Sequence, residues 1–371
     1  MRLMPPRCGT PDELLSERTH GRVRVTREAF GVEFVGAQGF LDTPAYGLPP
    51  RFVAEALCDC VRSWEQGGLE ASAFADRAAA SRAAYAALSG MDERRVTLGT
   101  SVSSLIGLVA ASMPDGSRVA TLRGEYTSVT FPFAAQGGRG VTVTELPRAQ
   151  LEDAAGDFDF VAASLVQSAD GAVLDVETLR RSVAGSGTVT VIDVSQALGW
   201  KNIDLSWADI AVAASYKWLL GSRGVAWMSL SERMFKALVP HAANPFASAD
   251  LWGSLYGLPI RLAGDARRFD VSPGWFSVLG AGLSLPWLAS LDRVMVEAHT
   301  VRLADQLRAE LGLMPADSAI VSIPAVRSVD ALEKAGIRAS VRAGAARVGF
   351  HLYNTEDDLD RLVDALKQLR W

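Results

Sequence analysis

Between residues 96 and 230 short apolar runs alternate with amphipathic segments, and this alternation limits the fold more than any other feature of the chain. "RVTLG" reads as a strand, "SVSSLIGLVAASM" as a helix, "SRVATLRG" as a strand, "TSVTFPFAAQGG" as a helix and "GVTVTEL" as a strand. "FDFVAASLV", "DVETLRRSVAGSG" and "TVTVID" continue the pattern, and two strands then flank a lysine turn within 209–230. Strands and helices that alternate over this length predict an α/β fold, a parallel or mostly parallel sheet with helices on both faces.

The flanking sequence has a different texture. "FLDTPAYGLPP" (40–50) reads as a short strand followed by Pro/Gly turn chemistry, and "PPRFVAEALCDCVRSWEQGG" as a helix closed by a glycine pair. Beyond 260 a long helical stretch near 278–312 precedes short strands near 319–324, 337–342 and 346–353. In the closing "TEDDLDRLVDALKQLR", Thr355 and Asp358 resemble a capping box, and Leu359, Leu362, Val363 and Leu366 share one helix face. A chain of 371 residues exceeds what one core usually serves. The organisation expected is an N-terminal segment 1–50, a large domain 51–260 and a small α/β domain 261–371, with a soft boundary between about 245 and 285.

Composition narrows the partners. With 49% apolar and 21% charged residues the chain matches ordinary globular proteins. A net charge of −5 and no basic helix face speak against nucleic acid. The opening "MRLMPPRCGTPDELLSERTH" has no continuous apolar signal core, and the longest apolar stretches, near 104–113 and 278–291, fall short of a membrane span. A cytoplasmic protein without membrane contact is expected. Cys8, Cys58 and Cys60 are an odd count that suggests free thiols, and with His20 the one nearby histidine no metal site is expected.

Ligands of open α/β sheets bind at the carboxyl ends of the strands, so polar residues that end apolar runs are candidates. Asp193 ends "TVTVID"; an aspartate there serves a site or caps a turn. Lys217, in "AASYKWLLG", either reaches water or is kept partly desolvated, which would make it a nucleophile toward an aldehyde. Gly99, Thr100 and Ser101 lie between a strand and a helix, as an N-cap or as a cradle for an anion at the helix's positive end. An acid and a lysine on successive strand ends, 217 − 193 = 24 residues apart, are the pair a pyridoxal phosphate enzyme requires.

Taken jointly, "DVSQALG", "SYKWLLGSRG", "YGLPP" and "RVGFHLYNTEDDLDRL" resemble the class V aminotransferase and cysteine desulfurase family of fold-type I pyridoxal phosphate enzymes, from about residue 40 onward. The resemblance implies a large domain with a mostly parallel seven-stranded sheet and a small C-terminal α/β domain. It implies that Lys217 forms the Schiff base, Asp193 pairs with the pyridine nitrogen and Gln196 hydrogen-bonds the ring hydroxyl. Thr100, Ser101 and Tyr216 would meet the phosphate, Tyr126 would stack on the ring, and Arg347 would clasp the substrate carboxylate. Tyr46 would line the substrate mouth, and Trp275 is expected at the site entrance.

Departures from the family pattern carry information too. "KAGIRASVRAGAARVG" lacks the mobile cysteine of desulfurases, which argues against persulfide chemistry. Tyr126 and Tyr216 stand where histidines are usual, and Ala214 replaces a serine, with Ser215 one place later. No histidine falls in a cofactor motif, which leaves Lys217 as the main Cα base. In "RRFDVSPGW" Ser272 stands in for the threonine that a neighbouring subunit lends to the phosphate, so a homodimer with a shared site is implied. Trp218, Trp227, Trp252, Trp275 and Trp287 read as core and dimer packing. Transamination, β- or γ-elimination and epimerisation are all open to such a site. The leading expectation is an aminotransferase-like or Cβ (C–S) lyase enzyme for a small or specialised α-amino acid. An epimerase, or a homologue that binds without turnover, are the alternatives.

Overall fold

The structure, a computed structural model, describes residues 26–368; Cys8 and His20 lie outside them. A hairpin of β1 (Thr26–Ala29) and β2 (Val32–Val35) leads to helices α1 (Arg51–Glu65) and α2 (Ala71–Ser89). The central sheet then follows: β3 (Val96–Gly99), β4 (Arg118–Leu122), β5 (Thr142–Leu146), β6 (Phe160–Ser164), β7 (Val189–Asp193), β8 (Ile210–Ala214) and β9 (Ala226–Leu230). Its spatial order is β3-β9-β8-β7-β6-β4-β5. Strands β4 to β8 run parallel to one another, while β9 is antiparallel to both β8 and β3. The crossovers carry α3 (Val102–Ser112), α4 (Thr127–Ala134), α5 (Arg148–Ala154) and α6 (Val176–Val183). The mostly parallel sheet that the alternation predicts is present, with the seven strands that the resemblance implies.

Both faces of this sheet are covered, which is why its strands read as unbroken apolar runs. Along β8, Ile210 and Val212 join α3 and α4 in one core, whereas Ala211 and Ala213 join α2 on the other face. After α7 (Glu232–Ala237), α8 (Trp275–Ala289) packs on α2 so closely that a Cβ on Gly282 would lie 2.6 Å from the Arg77 carbonyl oxygen. The chain continues through α9 (Arg293–Glu310), β10 (Ile320–Ile323), α10 (Asp330–Lys334), β11 (Ser340–Arg342), β12 (Ala345–Gly349) and α11 (Glu356–Gln368). Here a three-stranded antiparallel sheet, β10-β12-β11, shares a core with α9 and α11.

Several expectations change. The single helix near 278–312 is two, because Asp292 accepts from the Val294 and Met295 amides and starts a new helix. Val278, Ala281 and Leu285 of α8 and Val296 of α9 lie in the large core, while Leu303 and Leu307 lie in the small one. The change of core therefore falls inside α9 and does not coincide with residue 260. The 40–50 segment forms only isolated bridges, at Phe40 and Asp42. The capping box at α11 is half made: Asp358 accepts the Thr355 amide at 3.1 Å, but the Thr355 hydroxyl has no partner. Asp358 is buried instead as a tie to the N-terminal segment, accepting from Arg27 at 2.5 Å and from the Gly39 amide at 2.8 Å.

Candidate active site

The carboxyl ends of the central strands open onto a cavity of about 150 Å3. Thr100, Ser101, Tyr126, Asp193, Tyr216 and Lys217 all line it, although 117 residues separate the first from the last (217 − 100). Register explains the gathering: Ser164 of β6 pairs with Asp193 of β7, and Asp193 with Val212 of β8, so these strand ends lie side by side. Larger hollows, of about 520 Å3 beside the Arg82–Asp270 pair and about 570 Å3 at the amino ends of the strands, hold no lysine.

Lys217 is 6% exposed, and burial pushes its amine down to about 8. The Asp193 carboxylate opposes that shift, while Arg347, Arg342 and Arg223 add to it. Burial likewise raises Asp193 against the pull of Lys217 and of Ser195, whose amide donates to Oδ1 at 2.8 Å. Desolvation therefore moves both members toward neutrality. The amine faces aromatic surfaces, with Nζ 5.2 Å from the Tyr126 ring centroid and 5.9 Å from that of Tyr216. A desolvated amine of lowered basicity near an acid is suited to attack a carbonyl and to carry a proton.

The other candidates are placed less uniformly. Gln196 does not line the cavity: its Nε2 donates to the Pro44 carbonyl at 2.9 Å and the Ser168 hydroxyl at 3.1 Å, and its Oε1 accepts from Trp218 Nε1 at 2.8 Å. Its two amide hydrogens are thus already used. Ser215 is fully buried behind the lysine, its Oγ unpartnered and pointed at Gly221 rather than at the cavity. Tyr46 is 43% exposed, and the next residue's amide donates to the Tyr216 carbonyl at 2.8 Å. A side chain at Gly47 would collide with the Lys217 carbonyl, which explains the glycine. Trp275 stacks on Phe74 at 4.8 Å, off the cavity wall, and Ser272 is exposed away from it. Trp218 and Trp227 are core; Trp252 is exposed.

Arg347 is 1% exposed on β12. Its Nη1 donates to the Ser168 carbonyl at 2.5 Å and hydroxyl at 3.0 Å, its Nη2 donates to Ser340 at 3.1 Å, and Nε has no partner. Asp42 stands 3.8 Å away, a buried carboxylate that desolvation raises.

Sequence reasoning missed the groups that hold this site together. Glu125 is buried and accepts from the Tyr126 amide, the Ser164 amide and hydroxyl, and Gln167 Nε2, at 2.7 to 2.9 Å. Ser168 joins Gln196 to Arg347. His351, fully buried, donates from Nε2 to the Trp218 carbonyl at 2.9 Å and accepts the Leu352 amide at Nδ1, which assigns the neutral tautomer. Only Glu125, next to Tyr126 in "GEYTSV", had any local signal.

The lysine, its acid and a hydroxyl-lined turn at a helix start are now in one cavity, and the sequence comparison bears on them directly. Residues 99–330 match the family described as Aminotransferase class-V. The chain belongs to that family. Among relatives of this class-V enzyme, isopenicillin N epimerase of Streptomyces clavuligerus is 28% identical over 337 residues, covering 78% of this chain and 83% of that protein. A probable hercynylcysteine sulfoxide lyase of Mycobacterium tuberculosis is 28% identical over 337 residues, covering 81% and 82%. A variant of the cystine C–S lyase C-DES, with glycine covalently linked to its pyridoxal phosphate, superposes with a TM-score of 0.77 at 17% identity, over 89% of this chain and 96% of that one. The class-V enzyme has the fold-type I architecture and depends on pyridoxal 5′-phosphate. Its cavity fits that cofactor: it offers an amine for the aldehyde, a carboxylate for the ring nitrogen, an aromatic ring, and hydroxyls at the start of α3 for the phosphate. No cysteine lines it, in keeping with a class-V member that is not a desulfurase.

Proposed function

We propose that the enzyme removes and returns the Cα proton of a small or specialised α-amino acid, with amino transfer or loss of a Cβ substituent such as a sulfur group as the outcome. The joint placement of Lys217 and Asp193 on strand ends of one cavity carries this reading. Bound pyridoxal phosphate would supply an electron sink for the pair left at Cα. Lys217 holds the cofactor and, once displaced by substrate, moves the proton; its depressed basicity suits it to both tasks. Asp193 keeps the ring nitrogen positive, Tyr126 covers a ring face, and Thr100, Ser101 and Tyr216 receive the phosphate. Arg347 takes the substrate carboxylate by turning its fork from Ser168 and Ser340 toward the cavity, which it does not line in the ligand-free chain. Gln196 acts through Trp218, fixing the lysine turn rather than touching the ring.

A second reading, epimerisation, is favoured by one observation: isopenicillin N epimerase is among the relatives, at 28% identity over 78% of this chain. Mass spectrometry of products from a panel of amino acids and S-substituted cysteines in heavy water separates the outcomes. Pyruvate-type keto acid without an added acceptor marks elimination, dependence on an acceptor marks transfer, and deuterium at Cα with nitrogen retained and the configuration inverted, read by chiral separation, marks epimerisation. Absence of all three, and of any Cα exchange, would overturn the proposal.

A homodimer with a shared site belongs to the same reading. Trp252, Tyr256, Leu258 and Ile260 expose apolar surface between 59% and 93%, and Ser272 lies outside its own chain's cavity, free to serve a partner's. Among the described residues no helix is long and apolar enough to cross a membrane. The free thiols of Cys58 and Cys60 support a cytoplasmic setting.

A further inference from the structure

We propose that Arg223 is the cation that pairs the phosphate of pyridoxal phosphate, a role that rests on the cofactor reading above. The cavity lining includes Thr100, Ser101 and Ser103 at the start of α3, and Ser128. Part of this hydroxyl capacity is already committed: Ser101 Oγ accepts the Ser104 amide at 3.1 Å and lies 3.2 Å from Ser103 Oγ. A phosphate monoester brings nearly two negative charges, more than a helix terminus and hydroxyls neutralise.

Two cations line the cavity, Lys217 and Arg223. Lys217 must be neutral to capture an aldehyde, so it cannot also serve as the phosphate's counter-ion. Arg223 remains. Its guanidinium forms no salt bridge among the described residues and rests 5.1 Å from the Tyr216 ring centroid, so its charge is not spent within the chain. The loop beneath it is fixed: the Arg223 carbonyl accepts from Ser277 Oγ at 2.7 Å, and a side chain at Gly224, with φ +106°, would strike that same hydroxyl. A planar fork on a fixed loop suits two phosphate oxygens. Tyr216 beneath it supplies a neutral face and no charge of its own, which makes the arginine the group that compensates the site.

The test compares two ligands that differ by the phosphate alone. Apo-protein is titrated with pyridoxal phosphate and with pyridoxal, followed by absorbance, for the wild type, Arg223→Gln and Arg223→Lys. The expected result is a loss of about ten- to a hundredfold in pyridoxal phosphate affinity for Arg223→Gln, the range of one charge-assisted contact, with pyridoxal affinity unchanged and Arg223→Lys intermediate. Unchanged pyridoxal phosphate affinity, or an equal fall for both ligands, would overturn the assignment. Failure of the wild type to capture either aldehyde would overturn the cofactor reading together with it.

Discussion

Trp218 donates its indole Nε1–H to Oε1 of Gln196 at 2.8 Å, joining the residue after the lysine to the turn that follows the acid-bearing strand. Because indole only donates and the Pro44 carbonyl only accepts, the Gln196 amide has one orientation. The Trp218 carbonyl is held in turn by His351, and the Tyr216 carbonyl by the Gly47 amide. Lys217 thus sits between two anchored neighbours, which leaves its side chain as the mobile part of the turn.

Trp218→Phe would leave Gln196 Oε1 buried and unpaired. We expect a loss of about 1–3 kcal/mol in unfolding free energy, read from denaturant titration of the apo-protein. Unaltered stability would show that the bond does not fix the turn.

His351 makes the fold acid-sensitive. Burial pushes its imidazole down to about 3, and neutral Nδ1 already accepts an amide. Below pH 6.5 the unfolded chain takes up a proton there while the folded chain does not, so stability falls as pH drops from 6.5 toward 3, by about 1.4 kcal/mol per unit for this group. His351→Gln should flatten the acid limb of a stability–pH curve by about one proton. An identical slope would contradict this.

Asp193→Asn removes the charge but keeps the shape. The variant should still capture the cofactor through Lys217 while kcat falls by about a hundred- to a thousandfold, the scale of a lost electrostatic partner in a dry site. Wild-type turnover would exclude the proposed role at the ring nitrogen.

Arg347→Lys keeps a cation and removes the fork. KM for amino-acid substrates should rise about ten- to a hundredfold, with cofactor absorbance retained. Stability should also fall, because the Ser168 carbonyl and hydroxyl lose their donors. An unchanged KM would move carboxylate recognition elsewhere.

The strands and the reactive pair were legible in the sequence for one reason. A strand buried on both faces must be apolar throughout, so Asp193 and Lys217 stood out where such runs end. Helix α2 was passed over: "ASAFADRAAASRAAYAALS" is held by alanine propensity and buries residues around most of its circumference, so no single stripe announces it. Partnerships across the fold leave no local trace. Glu125 meets Ser164 and Gln167 39 and 42 residues later, and Gln196 turns to Trp218 and Pro44 instead of the ring. The 278–312 run hid its break because Asp292 reads equally as a surface residue of one helix or the cap of a second.

The central claim is covalent capture of pyridoxal phosphate by the buried amine of Lys217. Borohydride reduction of the protein after incubation with the cofactor, then proteolysis and peptide mass spectrometry, should find a phosphopyridoxyl group on Lys217, and none at all in Lys217→Ala. A tag on a different lysine, or no tag on the wild type, would contradict the account.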